Sequence, residues 1–266
     1  MAANRIDAKF SELRARGAKA FIAYISAGDP NLAATKSLAL ALEKAGVDIL
    51  ELGVPFSDPL ADGIVNQLAA QRALEAGTTP RGALDCVREI RRESQIPIVL
   101  YTYMNPLYAF GFARFHREAE AAGVDGLLIL DLPPDEDSAE LANVGSLKRI
   151  RLIAPTTPPE RIAEITRRAD GFIYYVSREG VTGEQASVAT SLNERLAEIR
   201  ATTALPIVVG FGVSNPEQAR EIAHAADGVV VGSAIVKRVA EHGASADLAE
   251  RVADFVRPLA GAVKPG

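Results

Sequence analysis

Val47-Asp48-Ile49-Leu50-Glu51-Leu52-Gly53-Val54-Pro55-Phe56-Ser57-Asp58-Pro59-Leu60-Ala61-Asp62-Gly63 joins a short apolar run to an acidic turn. The run Val47–Leu52 does not alternate polar with apolar, the pattern of a parallel strand covered on both faces. It delivers Glu51 at its end, and a buried carboxylate is expensive unless something uses or pairs it. The turn rich in Gly, Pro and Asp then supplies Asp58 and Asp62. In a barrel of parallel strands, the C-terminal strand ends carry the catalytic groups.

Seven similar runs lie outward from this one: Ala20–Ser26, Ile96–Tyr101, Gly126–Leu130, Arg149–Ala154, Gly171–Val176, Ile207–Gly210 and Gly228–Val231. Amphipathic helical patterns separate them. Leu32–Ala45 stops at Gly46 and Phe112–Ala122 at Gly123, both C-cap signals. Pro159–Arg168 follows Thr157 and Pro158, either of which could cap it. Pro216–Ala225 follows Asn215, an N-cap with proline at the first helical position. Eight strand–helix units predict an α/β protein, a (β/α)8 TIM barrel. No linker divides the 266 residues, so a single domain over 1–266 is expected.

Two departures from a minimal barrel stand out. Ile6, Phe10 and Leu13 at helical spacing predict an extra N-terminal helix within residues 1–16, plugging the barrel bottom. The connection from Gly53 to Gln95 has room for the acidic turn and two helices, Val65–Ala76 and Thr79–Glu93. A further long connection, 177–188, carries Gly180, Thr182 and Gly183, a composition that fits a lid.

Composition narrows the function. Hydrophobic residues make up 48% and charged residues 24%, as in ordinary globular proteins. The net charge of −5, without a basic block, argues against nucleic acid, and no apolar run is long enough for a membrane span. Cys86 is the only cysteine, which suits a reducing cytoplasm and reads as core filler. No Cys/His cluster or close acidic set predicts a metal, and none of the three histidines stands at a strand end.

That leaves the carboxylates. Glu51, desolvated at a strand end, suits proton transfer near neutral pH; a structural glutamate paired to an arginine would also fit. Asp62 could equally be the N-cap of the helix that follows it. Asp58, in Ser57-Asp58-Pro59, reads most economically as an Asx-turn residue. Glycine turns follow the last two strands, Gly210-Phe211-Gly212 and Gly232-Ser233-Ala234. The loops after strands seven and eight of a barrel often hold phosphate on backbone N–H groups, with Ser233 at the N-cap place and Gly183 as a third donor.

Together these features resemble the alpha subunit of tryptophan synthase, over nearly the whole chain. The likeness is carried by Tyr24-Ile25-Ser26-Ala27-Gly28-Asp29-Pro30, the segment Glu51 to Gly63, and Asp131-Leu132-Pro133-Pro134. It continues in Ser177-Arg178-Glu179-Gly180-Val181-Thr182-Gly183, Gly210-Phe211-Gly212 and Gly232-Ser233-Ala234-Ile235-Val236. The resemblance implies a carbon–carbon lyase cleaving indole-3-glycerol phosphate to indole and glyceraldehyde 3-phosphate. It implies Glu51 and Asp62 as catalytic groups and Gly183, Gly212, Gly232 and Ser233 at the phosphate. Tyr24, Tyr101, Leu128 and Tyr174 would line the indole pocket, with Thr182 closing over it. No cofactor is implied in this chain; pyridoxal phosphate belongs to a beta subunit, joined in an alpha2-beta2 heterotetramer. Asp58 and the Asp131 region would face that partner. Ala23 and Ile64 depart from the prolines the family often has there. A stand-alone lyase and a non-catalytic barrel that only regulates a partner are the competing readings.

Overall fold

A computed structural model of the chain describes residues 4–136, 145–176, 185–210 and 212–265. Eight parallel strands close a barrel in sequence order: β1 (Ala20–Ser26), β2 (Ile49–Gly53), β3 (Ile98–Thr102), β4 (Gly126–Ile129), β5 (Lys148–Ile153), β6 (Ile173–Val176), β7 (Ile207–Gly210) and β8 (Gly228–Val231). The last strand pairs back onto the first, Ala20 opposite Gly228. Each expected run forms a strand, with ends moved by two residues at most. β2 starts at Ile49 because Val47 N–H still donates to Leu42 O, closing the preceding helix, and so cannot enter the ladder.

The described helices are α1 (Arg5–Ala15), α2 (Leu32–Lys44), α3 (Ile64–Glu75), α4 (Pro80–Arg91), α5 (Met104–Phe110), α6 (Phe112–Ala122), α7 (Pro159–Arg167), α8 (Gln185–Arg200), α9 (Pro216–Ala225), α10 (Ser233–His242) and α11 (Leu248–Ala262). Of the two cap candidates before α7, Pro158 holds the place, while Thr157 Oγ1 accepts from Ala154 N–H. Asn215 caps α9 as expected, accepting from Gln218 N–H. None of the described helices is long and apolar enough to cross a membrane.

Every residue of β1 is buried, which explains its unbroken apolar reading. Alternate residues face two different cores. Ala20 and Ile22 point into the barrel with Ile49, Val99, Leu128, Ile150, Phe172, Tyr174, Val208 and Val230. Phe21, Ala23 and Ile25 point out against Leu38 and Leu42 of α2. The N-terminal helix plugs the barrel as expected: Ile6, Phe10 and Leu13 join the inner core, with Phe10 and Phe172 ring centroids 5.7 Å apart.

Aspartates fasten the N-terminal ends of the strands. Asp48, Asp125 and Asp227 each precede an even-numbered strand and accept a backbone N–H from the strand before it. The donors are Phe21 (2.7 Å), Ile98 (2.8 Å) and Ile207 (3.0 Å). Asp125 is 3% exposed and also takes Arg91 and Arg5, each at 2.8 Å. Burial pulls the Arg91 guanidinium down to about 10 even with Asp125 beside it. Asp125→Ala would leave Arg91 desolvated without its carboxylate, a loss of about 3–5 kcal/mol. Urea unfolding of that variant measures it; a change below ~1 kcal/mol would show the network to be dispensable.

Candidate active site

Glu51 sits near the C-terminal end of β2, opposite Tyr24 of β1 and Val99 of β3 in the ladders. It is fully buried, and both carboxyl oxygens lack a hydrogen-bond partner among the described residues. Among the described residues no arginine meets it, as the structural-glutamate reading would require. Desolvation alone pushes its carboxyl up from an ordinary 4.5 to about 8. At neutral pH it therefore carries a proton that it can give away.

Three tyrosines wall the space around it. Tyr24 and Tyr101 meet edge to face, ring centroids 4.9 Å apart. Burial, reinforced by the Asp62 and Glu51 charges, holds the Tyr24 and Tyr174 hydroxyls protonated. Two strand-end glycines make room for these rings. A Cβ on Gly53 would lie 2.4 Å from the Tyr24 hydroxyl oxygen, and one on Gly210 2.7 Å from that of Tyr174. Leu128, buried on β4, belongs to the same inner core as Tyr174, and Tyr101 packs against that core.

Asp62 does not cap α3. Gly63 takes that place without a side-chain bond, because the Asp62 carboxylate points to the barrel wall. Tyr101 Oη donates to Oδ1 (2.8 Å) and Tyr103 Oη to Oδ2 (2.7 Å). Gln67 Nε2 donates to the Asp62 carbonyl (2.9 Å) from the first turn of α3. Asp58 is exposed, and its carboxylate accepts from Ser57 Oγ (2.6 Å). The turn there is closed by its backbone carbonyl, which accepts from Leu60 N–H (2.9 Å), and not by an Asx-turn side chain.

Ser233 is the first residue of α10 and not its cap; Gly232 takes that role, again without a side-chain bond. The helix starts directly after β8, and its first-turn N–H groups have no intrahelical partner. Gly212, exposed after β7, has φ +66°, a conformation that glycine adopts without strain. Of the expected lid at 177–188, residues 177–184, with Thr182 and Gly183, lie outside the described residues, as does Phe211; 185–188 are not loop but the start of α8 (Gln185–Arg200). Among the described residues, no group of three or more His, Cys, Asp or Glu could hold a metal ion.

The sequence profile of the tryptophan synthase alpha chain family matches residues 10–264. The chain belongs to the tryptophan synthase alpha chain family. Relatives bearing that name include one from Opitutus terrae, 51% identical over 265 residues, covering 99% of this chain and 98% of the relative. Another, from Citrifermentans bemidjiense, is 49% identical over 266 residues, covering 99% of each. The crystal structure of tryptophan synthase subunit alpha from Legionella pneumophila superposes with a TM-score of 0.90 at 37% identity, covering 98% of this chain and 99% of that one. A chain of M. tuberculosis tryptophan synthase in an open form gives 0.88 at 34%, covering 99% and 100%.

Within this family frame, the chain brings Glu51, Asp62, Tyr24, Tyr101 and Tyr174 within electrostatic reach of one another, with Leu128 in the adjoining inner core. Sequence reasoning missed Tyr103. It also missed the Asp29–Arg72 pair, which ties the β1 loop to α3 through two bonds of 2.8 and 2.7 Å. Tyr103 was findable in principle, since it continues the parity of Tyr101 one residue past the end of β3. Nothing local marks Asp29 as the partner of an arginine 43 positions on.

Proposed function

We propose that this chain cleaves indole-3-glycerol phosphate to indole and glyceraldehyde 3-phosphate, a retro-aldol lyase reaction of tryptophan biosynthesis. The observation that carries it is Glu51: a fully buried carboxyl, both oxygens unpartnered among the described residues, on the strand beside the one whose Tyr101 holds Asp62. Protonated Glu51 gives its proton to indole C3. The resulting carboxylate takes the proton of the side-chain hydroxyl as the C–C bond breaks, and the bonding pair returns to the ring. Glu51 thus ends as it began. Asp62 accepts the ring N–H and stabilises the positive charge that C3 protonation places on the ring.

Gly212, Gly232, Ser233 and Gly183 supply N–H and O–H donors to the phosphate. Local dipoles do this work because the net charge of −5 does not favour an anion. Thr182 closes over the substrate and hydrogen-bonds Asp62. The proton transfers need no cofactor in this chain; pyridoxal phosphate serves the beta subunit, which consumes the indole. The two chains assemble as an alpha2-beta2 heterotetramer in the cytoplasm, with Asp58 and the Asp131 region toward the partner. Asp131 already accepts from Met104 N–H (2.8 Å), joining the β4 loop to the start of α5.

Indole release from indole-3-glycerol phosphate, with and without a beta subunit, tests this reading. Asp62→Asn should lower turnover by about 10²–10³-fold, the scale of losing one stabilising group at a developing charge. Near-normal turnover in that variant would remove Asp62 from the chemistry.

A further inference from the structure

The acidic turn that carries Asp62 stands proud of the barrel. Leu60 is 91% exposed, and Ala61 and Gly63 are exposed on either side of the aspartate. A carboxylate on such a turn has many rotamers open to it, and the cost of ordering it must be met by specific contacts. Here the two short contacts come from β3 and its end, and Asn66 Nδ2 of α3 adds a longer one to Oδ1 (3.5 Å). Tyr101 lies in β3 and Tyr103 just past its end, and a spacing of two sends both side chains to the same face.

The two hydroxyls hold different oxygens of the carboxylate, Tyr101 at Oδ1 and Tyr103 at Oδ2. Donor direction at Tyr103 is set by a third group, because its oxygen accepts from Ala61 N–H (3.2 Å) and its proton is left for Asp62. Tyr103 is 5% exposed and packs on Phe56, ring centroids 5.5 Å apart. Tyr101 is partly buried and packs on Tyr24. Oδ2 takes the Tyr103 hydroxyl and keeps a further lone-pair direction for a ligand, while Oδ1 takes Tyr101 and the longer contact from Asn66 Nδ2 (3.5 Å).

We propose that Tyr101 and Tyr103 are positioning residues that clamp the Asp62 carboxylate in the orientation that receives the substrate's ring N–H. Through it they set the site's preference for a ring bearing that donor. The proposal rests on Asp62 being the acceptor of the ring N–H. Charge-assisted hydrogen bonds of this kind orient as well as stabilise. Misplacing a catalytic group by a fraction of a bond length lowers turnover more than binding, which the phosphate grip maintains.

Tyr101→Phe, Tyr103→Phe and the double variant test it, with kcat and KM measured on indole-3-glycerol phosphate and on its N-methyl-indole counterpart, which lacks the donor. Each single variant should lose about tenfold in kcat, the scale of one hydrogen bond to a charged group, and the double variant about 100-fold. KM should stay within about threefold, and the preference for N–H over N-methyl should collapse in the double variant. Should the double variant melt early, Tyr101→Phe alone decides, since it keeps the ring that packs on Tyr24. Unchanged kcat and unchanged preference, with Asp62→Asn still inactive, would overturn the clamp and spare the assignment of Asp62. Full turnover in Asp62→Asn would overturn both.

Discussion

Glu51→Gln should lower indole release by about 10⁴-fold or more, while the barrel still folds and still binds a phosphate-bearing ligand. A positioned acid or base contributes roughly 10²–10⁴-fold, and this one side chain is asked to donate a proton and then recover one. Glutamine keeps the volume and the polarity, so the inner core around Ile49, Val99 and Leu128 has no cavity to relax into. In the native chain the acid form of Glu51 persists up to about pH 8. The wild-type rate for C3 protonation should therefore fall about tenfold per pH unit above that value. Single-turnover indole formation across pH measures both effects. Wild-type-like turnover in the glutamine variant would end the assignment of Glu51 as the proton carrier.

The same side chain should destabilise the ligand-free protein as pH rises. Unfolded, Glu51 releases its proton near 4.5; folded, it keeps it until about 8. Below pH 4.5 both states hold the proton, and Glu51 costs nothing. From 4.5 to about 8 the unfolded chain binds fewer protons than the folded one, so stability falls with pH. Above about 8 the folded state also ionises, and the loss levels off. A separation from 4.5 to about 8 corresponds to roughly 5 kcal/mol at ~1.4 kcal/mol per pH unit. Glu51→Gln has no such loss. Urea unfolding of the two proteins at pH 5 and pH 9 should show the variant gaining several kcal/mol on the wild type at the higher pH. Parallel stability profiles would show that Glu51 is solvated or paired in solution. A residue that must be uncomfortable to be useful is the usual trade between activity and stability.

The barrel was legible because its strands are parallel and covered on both faces. Such strands read as unbroken apolar runs, and helices capped by Asn215 or closed by Gly123 punctuate them clearly. Glu51 was legible for the same reason: a charge at the end of such a run is conspicuous. Its lack of a partner among the described residues was not, since an arginine from elsewhere in the chain could have met it. α5 escaped notice because its seven residues, Met104–Phe110, are too few for an apolar period to show.

Asp62 was the ambiguous case, and its resolution is instructive. Asp-Gly before a helix is a sound N-cap signal, yet the carboxylate turns away from α3. Two tyrosine hydroxyls from a strand some 40 positions later outcompete the local backbone N–H groups. Ser233 shows the same local ambiguity: a serine after a glycine reads as a cap, but the glycine itself takes that place.

Hydrophobic periodicity and turn chemistry are local properties. From them alone this chain declared eight strands, their order, the plugging helix, and the strand end at which a carboxylate would be stranded. Closure of the barrel is not local. Bringing β3 beside β2 set Tyr101 and Tyr103 against Asp62, and sealing the inner core left Glu51 without a partner among the described residues. The residue types were written in the order of the chain. Their protonation and orientation arose only when burial removed water and distant segments supplied, or failed to supply, what water had provided.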